Sequence, residues 1–349
     1  MASPAVATLG SHCSLQVLKG ASDEGLRTIL ICERRRERLY RRFPFIDVIV
    51  PVDSFREVLD ASCQHILRSE GSGDNTVLIP HGTLIAQMSP DEIESLDIPM
   101  FGNKWMLRWE SDRSMKERLM LKAGLTVPAP IPSPDEIRGA AIVKRHGAAG
   151  GKGYFIAAGR DDYDAKRNAL IEDGIISASE PLYIQEYRSG VLAYLQFFYS
   201  PLSKDVEFFG ADQRHESDIE GLARIPAKEQ LAGGVSDVPS FNVIGNSPLV
   251  LRESLLDEVY AMGERFVEAA KNEVPPGMNG PFCIEGVYDE NAKFTSFEFS
   301  ARIVAGTNIY MDGSPYYSLL YGEPISMGRR IAREIGHAAS LGRLGDVTT

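Results

Sequence analysis

The chain carries only four cysteines, Cys13, Cys32, Cys63 and Cys283, scattered and with no C-x-x-C pair among them. That usage argues against a zinc site and a disulfide framework, and makes a reducing cytoplasm the expected setting. No apolar run approaches the ~20 residues needed to span a bilayer. The N-terminus passes almost directly into "AVATLG", without the charged and long apolar regions of a signal peptide. Positive charge is also short: 37 Lys and Arg stand against 48 Asp and Glu, a net charge of -11. This balance excludes a general affinity for nucleic acid or an anionic membrane face, so neither is an expected partner. It leaves room for a small phosphorylated ligand held by a few local cations. The one basic run, "ERRRERLYRRF" (Glu33 to Phe43), reads as a solvated face or an oligomer contact in so acidic a chain. Internal repeats and low-complexity tracts are absent.

What is present is ordinary globular material. A length of 349 residues with 44% hydrophobic content suits two or three subdomains. The first hundred or so residues alternate short apolar runs with polar, helix-compatible segments, as parallel βα units do. The runs are "AVATLG", "TILIC", "DVIVPV" and "TVLIPHG", closed by "IPMFGN". Three of them empty into Gly10-Ser11-His12, His81-Gly82-Thr83 and Gly102-Asn103. Ligands bind beyond the carboxyl ends of such strands, so these loops are expected to share one crevice. Ser114 and Glu117 then have capping-box spacing at the start of a helix that stops at Gly124. Four prolines in "TVPAPIPSPDEI" mark a linker. Beyond it come strand, glycine-rich turn and strand in "AAIVKRHGAAGGKGYFIA", a strand in "PLYIQEYRSG", and aromatic antiparallel strands in "LAYLQFFYS" and "DVEFFGADQRH". Ser254 is placed to cap a helix with Leu255, Val259, Met262 and Phe266 on one stripe. Two more strands and a closing helix, "MGRRIAREIGHAA", complete the chain.

The chemistry-bearing residues gather in a few places. "KRHGAAGGKG" offers backbone N–H groups and lysines to phosphate oxygens, or else is a solvated hairpin loop. In "IQEYRSG", strand backbone and a carboxylate could serve an adenine and a ribose; the plainer reading is a strand leaving the core. Period-two alternation in "TSFEFSARIVAGTN" sets Phe297, Phe299, Ala301 and Ile303 on one face, and Ser296, Glu298, Ser300 and Arg302 on the other. In "GPFCIEGVYD", Cys283, Glu285 and Val287 share a face. Glu285 and Glu298 can therefore lie side by side on neighbouring strands, where they repel unless a cation sits between them. Hard oxygen ligands shared with phosphate oxygens are the usual Mg²⁺ arrangement. Arg302, farther along the face of Glu298, can meet a phosphoryl group bidentately; the bland reading is a Glu–Arg pair in water. His12 and His81 each follow a strand beside glycine, as structural hydrogen-bonders or as substrate contacts. "DQRHESDIEG" is a solvated loop, unless Glu216 lies over a nucleotide.

Lys116, Lys144, the glycine loop, the Gln185-Glu186-Tyr187 strand and the Glu285, Glu298, Arg302 trio together resemble an ATP-grasp ligase. Longer stretches, among them "ATLGSHCSLQVLKGA", "MFGNKWMLRWESDRSMKERLMLKAGL", "PPGMNGPFC" and "SARIVAGTNIYMDGSPY", resemble the archaeal PurP family of formate-dependent ligases, over nearly the whole chain. That family formylates aminoimidazole carboxamide ribonucleotide (AICAR) in purine synthesis. The resemblance implies a mixed α/β and α+β architecture, an ATP-grasp fold behind an N-terminal Rossmann-like parallel sheet. Its expected divisions are a substrate-binding domain over 1–125, a small lobe over 126–190 and a large lobe with a metal site over 191–349. It implies that His12, Ser14, Thr83 and Asn246 contact AICAR. Lys116, Lys144, Gly150, Gly151, Gln185, Glu186, Tyr187 and Glu216 hold ATP on the same basis. Glu285 and Glu298 bind Mg²⁺ or Mn²⁺, while Arg302 and Lys144 offset charge on the transferred phosphoryl group. Formate completes the substrate set, and a homo-oligomer, hexamer or trimer, is implied. Thr83 stands where the family pattern has serine, keeping the hydroxyl and adding a methyl, and the segment before "AVATLG" is shorter than the pattern. The alternative is a paralogue of the same family that joins another carboxylate to another amine.

Overall fold

The apolar runs of the first hundred residues become four parallel strands, β1 (Ala5–Leu9), β2 (Arg27–Glu33), β3 (Val48–Val52) and β4 (Thr76–Leu78). The computed structural model describes residues 3–70, 75–145, 154–217, 220, 224 and 243–349. Helix α1 (Ser14–Asp23) links β1 to β2, and α2 (Ala61–Glu70) precedes β4. The strand order is β3-β2-β1-β4, with Met100 bridged to Leu78 at the far edge. The chain steps from β1 outward to β3, then returns to lay β4 on the other side of β1. That reversal opens a crevice beyond the carboxyl ends of β1 and β4. Every residue of β1 is buried, as a parallel strand covered on both faces must be.

Short helices α3 (Gly82–Gln87), α4 (Lys104–Ser111) and α5 (Arg113–Lys122) follow. Helix α5 is not capped by the Ser114–Glu117 box. Asp112 is its N-cap, and its carboxylate accepts from the Met115 N–H at 2.9 Å. The helix starts two residues earlier than the box spacing requires, which puts Ser114 inside the first turn and leaves Glu117 to accept from the Tyr183 hydroxyl at 3.0 Å. The proline segment is strapped down on both sides. The Thr126 carbonyl accepts from the Ser296 N–H, and Ile131 N–H donates to the Ile184 carbonyl.

A small antiparallel sheet, β6-β5-β7, comprises β5 (Ala141–Arg145), β6 (Phe155–Ala157) and β7 (Leu182–Glu186), backed by α6 (Arg160–Glu172). Ile137, Val143, Phe155, Leu170 and Ile184 form its own apolar core. The larger antiparallel sheet runs β10-β9-β8-β11-β12. Its strands are β8 (Val191–Ser200), β9 (Asp205–Glu216), β10 (Val243–Leu249), β11 (Gly280–Tyr288) and β12 (Phe294–Ser300). Helix α7 (Leu256–Glu273) lays Val259, Met262 and Phe266 against Phe197, Phe282 and Phe299 on one face. Ser254 does not cap it. A 3₁₀ turn over Glu253–Leu255 precedes the helix, and Leu255 occupies the cap position without a side-chain bond.

The other face of this sheet meets α8 (Pro315–Tyr321) and α9 (Met327–Ser340) through Phe198 and Phe209. Helix α9 also packs on α1. A Cβ on Gly328 would lie 2.1 Å from the Gln16 carbonyl oxygen, and one on Gly20 would lie 2.2 Å from the Arg329 nitrogen. Only glycine permits backbones to approach so closely. The rest of that face is polar, and it fronts the crevice of the parallel sheet.

Candidate active site

One row of side chains crosses the large sheet. Asp212 on β9 pairs with Tyr194 on β8, Tyr194 with Glu285 on β11, and Glu285 with Glu298 on β12. The two glutamates are thus directly opposed, as the alternation predicts. Arg214 lies two residues along β9 from Asp212 and pairs with Asn246 on β10. Phe297 departs from the alternation. A bulge in the β11–β12 ladder, where Glu285 pairs with Glu298 but Gly286 with Ser296, leaves Phe297 unpaired. It turns to the polar side, where its ring meets Tyr194 and Lys144 Nζ lies 5.6 Å from its centroid, while Phe299 stays in the apolar core.

Each carboxylate of the row has a cation beside it. Lys116 pairs with Glu298. Arg214 reaches Glu285 at 3.1 Å, with its guanidinium 3.7 Å from the Tyr194 ring centroid. Ser300 also donates to Glu285, at 2.9 Å. Arg302, two residues past the end of β12, does not pair with Glu298. Arg302 instead meets the buried Glu110 at 3.0 Å, and Glu110 accepts in addition from the Ala301 N–H at 2.8 Å. The Nε of Arg302 is buried with no partner among the described residues.

These placements set the charges. Burial pushes the Glu298 carboxyl up, but the Lys116 charge and hydrogen bond, with Lys144 and Arg113 behind them, hold it well below the usual carboxylate range. Its side chain remains 42% accessible because it opens onto the cleft. Burial pushes Lys144 down to about 8 against the pull of Glu298. Asp212 rises to about 6, mainly by burial and against the Arg214 charge, and Asn246 donates to it at 2.6 Å. The helical turn carrying Gly306 lies on that carboxylate: a Cβ there would sit 2.2 Å from Asp212 Oδ1.

Two of the three predicted loops join this face. His12 stands at φ 46° just before α1, its ring 5.6 Å from that of His81. A Cβ on Gly82 would find His12 Nε2 at 3.1 Å and Arg302 Nη2 at 3.5 Å, so both groups converge on one spot. His81 is structural. Its Nε2–H donates to the Leu9 carbonyl at 2.8 Å and its Nδ1 accepts from the Thr83 N–H at 3.2 Å. Burial lowers it to about 3, which keeps the ring neutral. His12 is lowered to about 4 by burial first and by the Arg302 and Arg214 charges after it. Ser14 and Thr83 are both buried in the first turns of their helices. Gly102-Asn103 does not join the crevice. The Asn103 amide donates to the Val274 and Gly277 carbonyls, both at 2.9 Å, and ties that loop to the large lobe.

Gln185 is buried, and its Oε1 has no partner among the described residues. It lines a cavity with Arg113, Lys116, Tyr183 and Phe297, between the small sheet and the large one. The N–H groups of Glu186 and Tyr187 are already engaged, by the Ala129 and Ala140 carbonyls. Their side chains, one paired with Arg188 and one largely exposed, remain available. Glu216 ends β9, and "DQRHE" is strand rather than loop, because β10 pairs along it. Gly150 and Gly151 lie outside the described residues. Among the described residues no group of three or more His, Cys, Asp or Glu could enclose a metal ion. Two opposed carboxylates fit the donor set of a Mg²⁺ or Mn²⁺ ion that takes its remaining ligands from water and bound phosphate. Glu110, Arg113, Tyr194, Asp212 and Arg214 were not marked by the sequence. The alternation of Asp212 and Arg214 on one strand face was the available signal.

Comparison with known proteins gives consistent matches. A family model described as "Protein of unknown function (DUF1246)" matches residues 6–131, and one described as "Domain of unknown function (DUF1297)" matches residues 162–349. A relative from Nitrosopumilus maritimus (strain SCM1), named 5-formaminoimidazole-4-carboxamide-1-(beta)-D-ribofuranosyl 5'-monophosphate synthetase, is 70% identical over 344 residues, 99% of each chain. The crystal structure of an IMP biosynthesis protein PurP from Thermococcus kodakaraensis superposes with a TM-score of 0.78 at 28% identity, covering 99% of this chain and 100% of that one. The ADP complex of an N5-carboxyaminoimidazole ribonucleotide synthetase superposes with a TM-score of 0.68 at 11% identity, over 96% of this chain and 77% of that one. The fold is that of the ATP-grasp ligases, with a parallel-sheet domain in front.

Proposed function

The chain belongs to the family of 5-formaminoimidazole-4-carboxamide ribonucleotide synthetases, and on that premise we propose that it formylates AICAR with formate and ATP. The products are the formamido ribonucleotide (FAICAR), ADP and phosphate, in purine synthesis. A formate oxygen attacks the γ-phosphorus as ADP leaves, giving formyl phosphate. The exocyclic amine then attacks the formyl carbon, the C–N bond forms, the C–O bond to phosphate breaks, and the amine gives up a proton. The observation that carries the reading is the opposed Glu285 and Glu298, ringed by Lys116, Lys144, Arg214 and Arg302 and facing His12.

No nucleophile from the protein is needed; its work is positioning, charge neutralisation and exclusion of water. Lys116, Lys144, Gln185, Glu186, Tyr187 and Glu216 would hold ATP, with Gly150 and Gly151. Glu285 and Glu298 would hold the divalent ion, Mg²⁺ or Mn²⁺, which supplies Lewis-acid polarisation of phosphate oxygens. Lys144 remains mostly charged near neutral pH and, with Arg302, offsets charge on the moving phosphoryl group. His12, with Ser14, Thr83 and Asn246, would hold AICAR. His12 is neutral there, so it recognises its ligand by hydrogen bonding and not by charge. The divisions 1–125, 126–190 and 191–349 belong to the proposal, supported by the separate core of the small sheet. So does an assembly of identical subunits, a trimer or hexamer. It is supported by the exposed Leu319 and Leu320 on α8, and light scattering tests it. Among the described residues no helix is long and apolar enough to cross a membrane, which accords with a cytoplasmic enzyme.

The test is ADP release by the purified chain with formate and AICAR, set against other carboxylates and amines. Release should require both substrates. Glu298→Gln should lose about 100-fold or more in turnover with unchanged circular dichroism. Release that ignores both substrates leaves only an ATPase, and an active Glu298→Gln enzyme removes the metal assignment.

A further inference from the structure

We infer that Arg214 receives the carboxylate of the one-carbon acid and holds its oxygen through both chemical steps. The inference rests on the synthetase reading above. Its first support is position. The formyl carbon must pass from the phosphoryl end of the site to the amine. Arg214 on β9 is paired with Asn246 on β10, on the proposed AICAR side. Its guanidinium crosses the Tyr194 ring to reach Glu285, on the proposed metal side. It therefore spans the interval that the one-carbon unit must occupy. The Arg214 side chain keeps 25% of its surface accessible, so the group is open to the cleft and not sealed in the sheet interior.

The second support is availability. Arg302 has its own counter-ion in the buried Glu110, a residue outside the proposed metal pair. Among the described residues, the ion-pair partner of Arg214 is Glu285, a carboxylate that a divalent ion would claim. When Glu285 turns to a cation, Arg214 loses its partner but keeps its seat on the aromatic ring. A planar guanidinium so held matches a carboxylate fork, which a lysine at the same place does not. In the first step one formate oxygen attacks phosphorus while Arg214 holds the other. In the second, that held oxygen is the carbonyl oxygen on which negative charge collects as the amine adds. The arrangement also sets an order, because the carboxylate seat opens only once Glu285 is engaged.

The full chain with Arg214→Met and Arg214→Lys tests this. In Arg214→Met the KM for formate should rise about 10- to 100-fold, with KM for ATP and for AICAR held within about twofold. Arg214→Lys should fall between Arg214→Met and the wild type. Line broadening of ¹³C-formate, measured with a non-hydrolysable ATP analogue, AICAR absent, should be present in the wild type and absent in Arg214→Met. In the wild type it should weaken when Mg²⁺ is left out. An equal rise in KM for ATP would make Arg214 a support for Glu285 only, and an equal rise for AICAR would make it a phosphate contact; either overturns the inference. So does an unchanged KM for formate in both variants. A wild-type chain that neither turns over nor broadens formate overturns the synthetase reading itself.

Discussion

Acid should weaken this protein through His81, by an amount that can be worked out. Its imidazole is 1% exposed and is lowered from 6.5 to about 3, chiefly by burial. The unfolded chain takes up a proton near pH 6.5, while the folded chain refuses it until about pH 3. The neutral ring's contribution is therefore intact above 6.5, is lost progressively as pH falls, and levels off below the folded value. Between about pH 7 and about pH 5 this one group should cost about 2 kcal/mol of stability. For 349 residues, at about 2.1 cal/mol/K per residue, that is a fall of roughly 3 °C in Tm. The assay is calorimetry across that range on the wild type and on His81→Asn, which keeps a donor for the Leu9 carbonyl. The wild type should lose about 2 kcal/mol more than the variant between the two pH values, whatever the variant's starting stability. Parallel curves would refute the reasoning, since the folded ring would then take its proton as readily as the unfolded one. Nitrogen NMR should also find His81 as the Nε2-protonated tautomer at about pH 6.

Two further outcomes test the packing around the site. Gly306→Ala drives a methyl into the Asp212 carboxylate and should cost about 1–3 kcal/mol in chemical denaturation. It should also weaken AICAR binding, because Asn246 hangs on that carboxylate; unchanged stability would mean the turn has room to move. Asn103→Ala removes two hydrogen bonds to the Val274 and Gly277 carbonyls and the cap on the Trp105 N–H, and should cost about 2–3 kcal/mol with KM values unaltered. A shift in KM for AICAR would return that loop to the crevice.

The parallel strands were legible as short apolar runs, and the opposed pair Glu285 and Glu298 by period-two alternation, because both are local properties of the chain. The position of Phe297 was not. A bulge exists only relative to a partner strand, and the alternation of β12 alone contains no trace of the register shift at Gly286. The Ser114–Glu117 spacing misled for a related reason: two residues can satisfy a capping pattern while the turn that starts the helix falls at Asp112. Ion partners were harder still. Lys116 and Glu298 are 182 positions apart, and Arg302, just past the end of β12, meets a carboxylate on α4 and not Glu298, four residues back in the chain. Glu110 gives no local signal, since its helix position reads equally well as solvent-facing. Resemblance implied roles for the site residues, and the structure gave their counter-ions.

The glycine contact between α1 and α9 bears on motion. Helix α1 begins two residues after His12, and α9 lies on the strands that carry Tyr194 and Asp212. With backbone against backbone at Gly20 and Gly328 there is no layer of side chains to slide, so the parallel sheet and the large sheet turn as one body. The small sheet has a core of its own and meets the large one across the cavity lined by Gln185 and Phe297. On the synthetase reading, closure on a nucleotide falls to the small sheet, while the span from His12 to Glu285 keeps its length. On that reading, the distance over which a one-carbon group must be handed is built into the half that the glycine contact holds together.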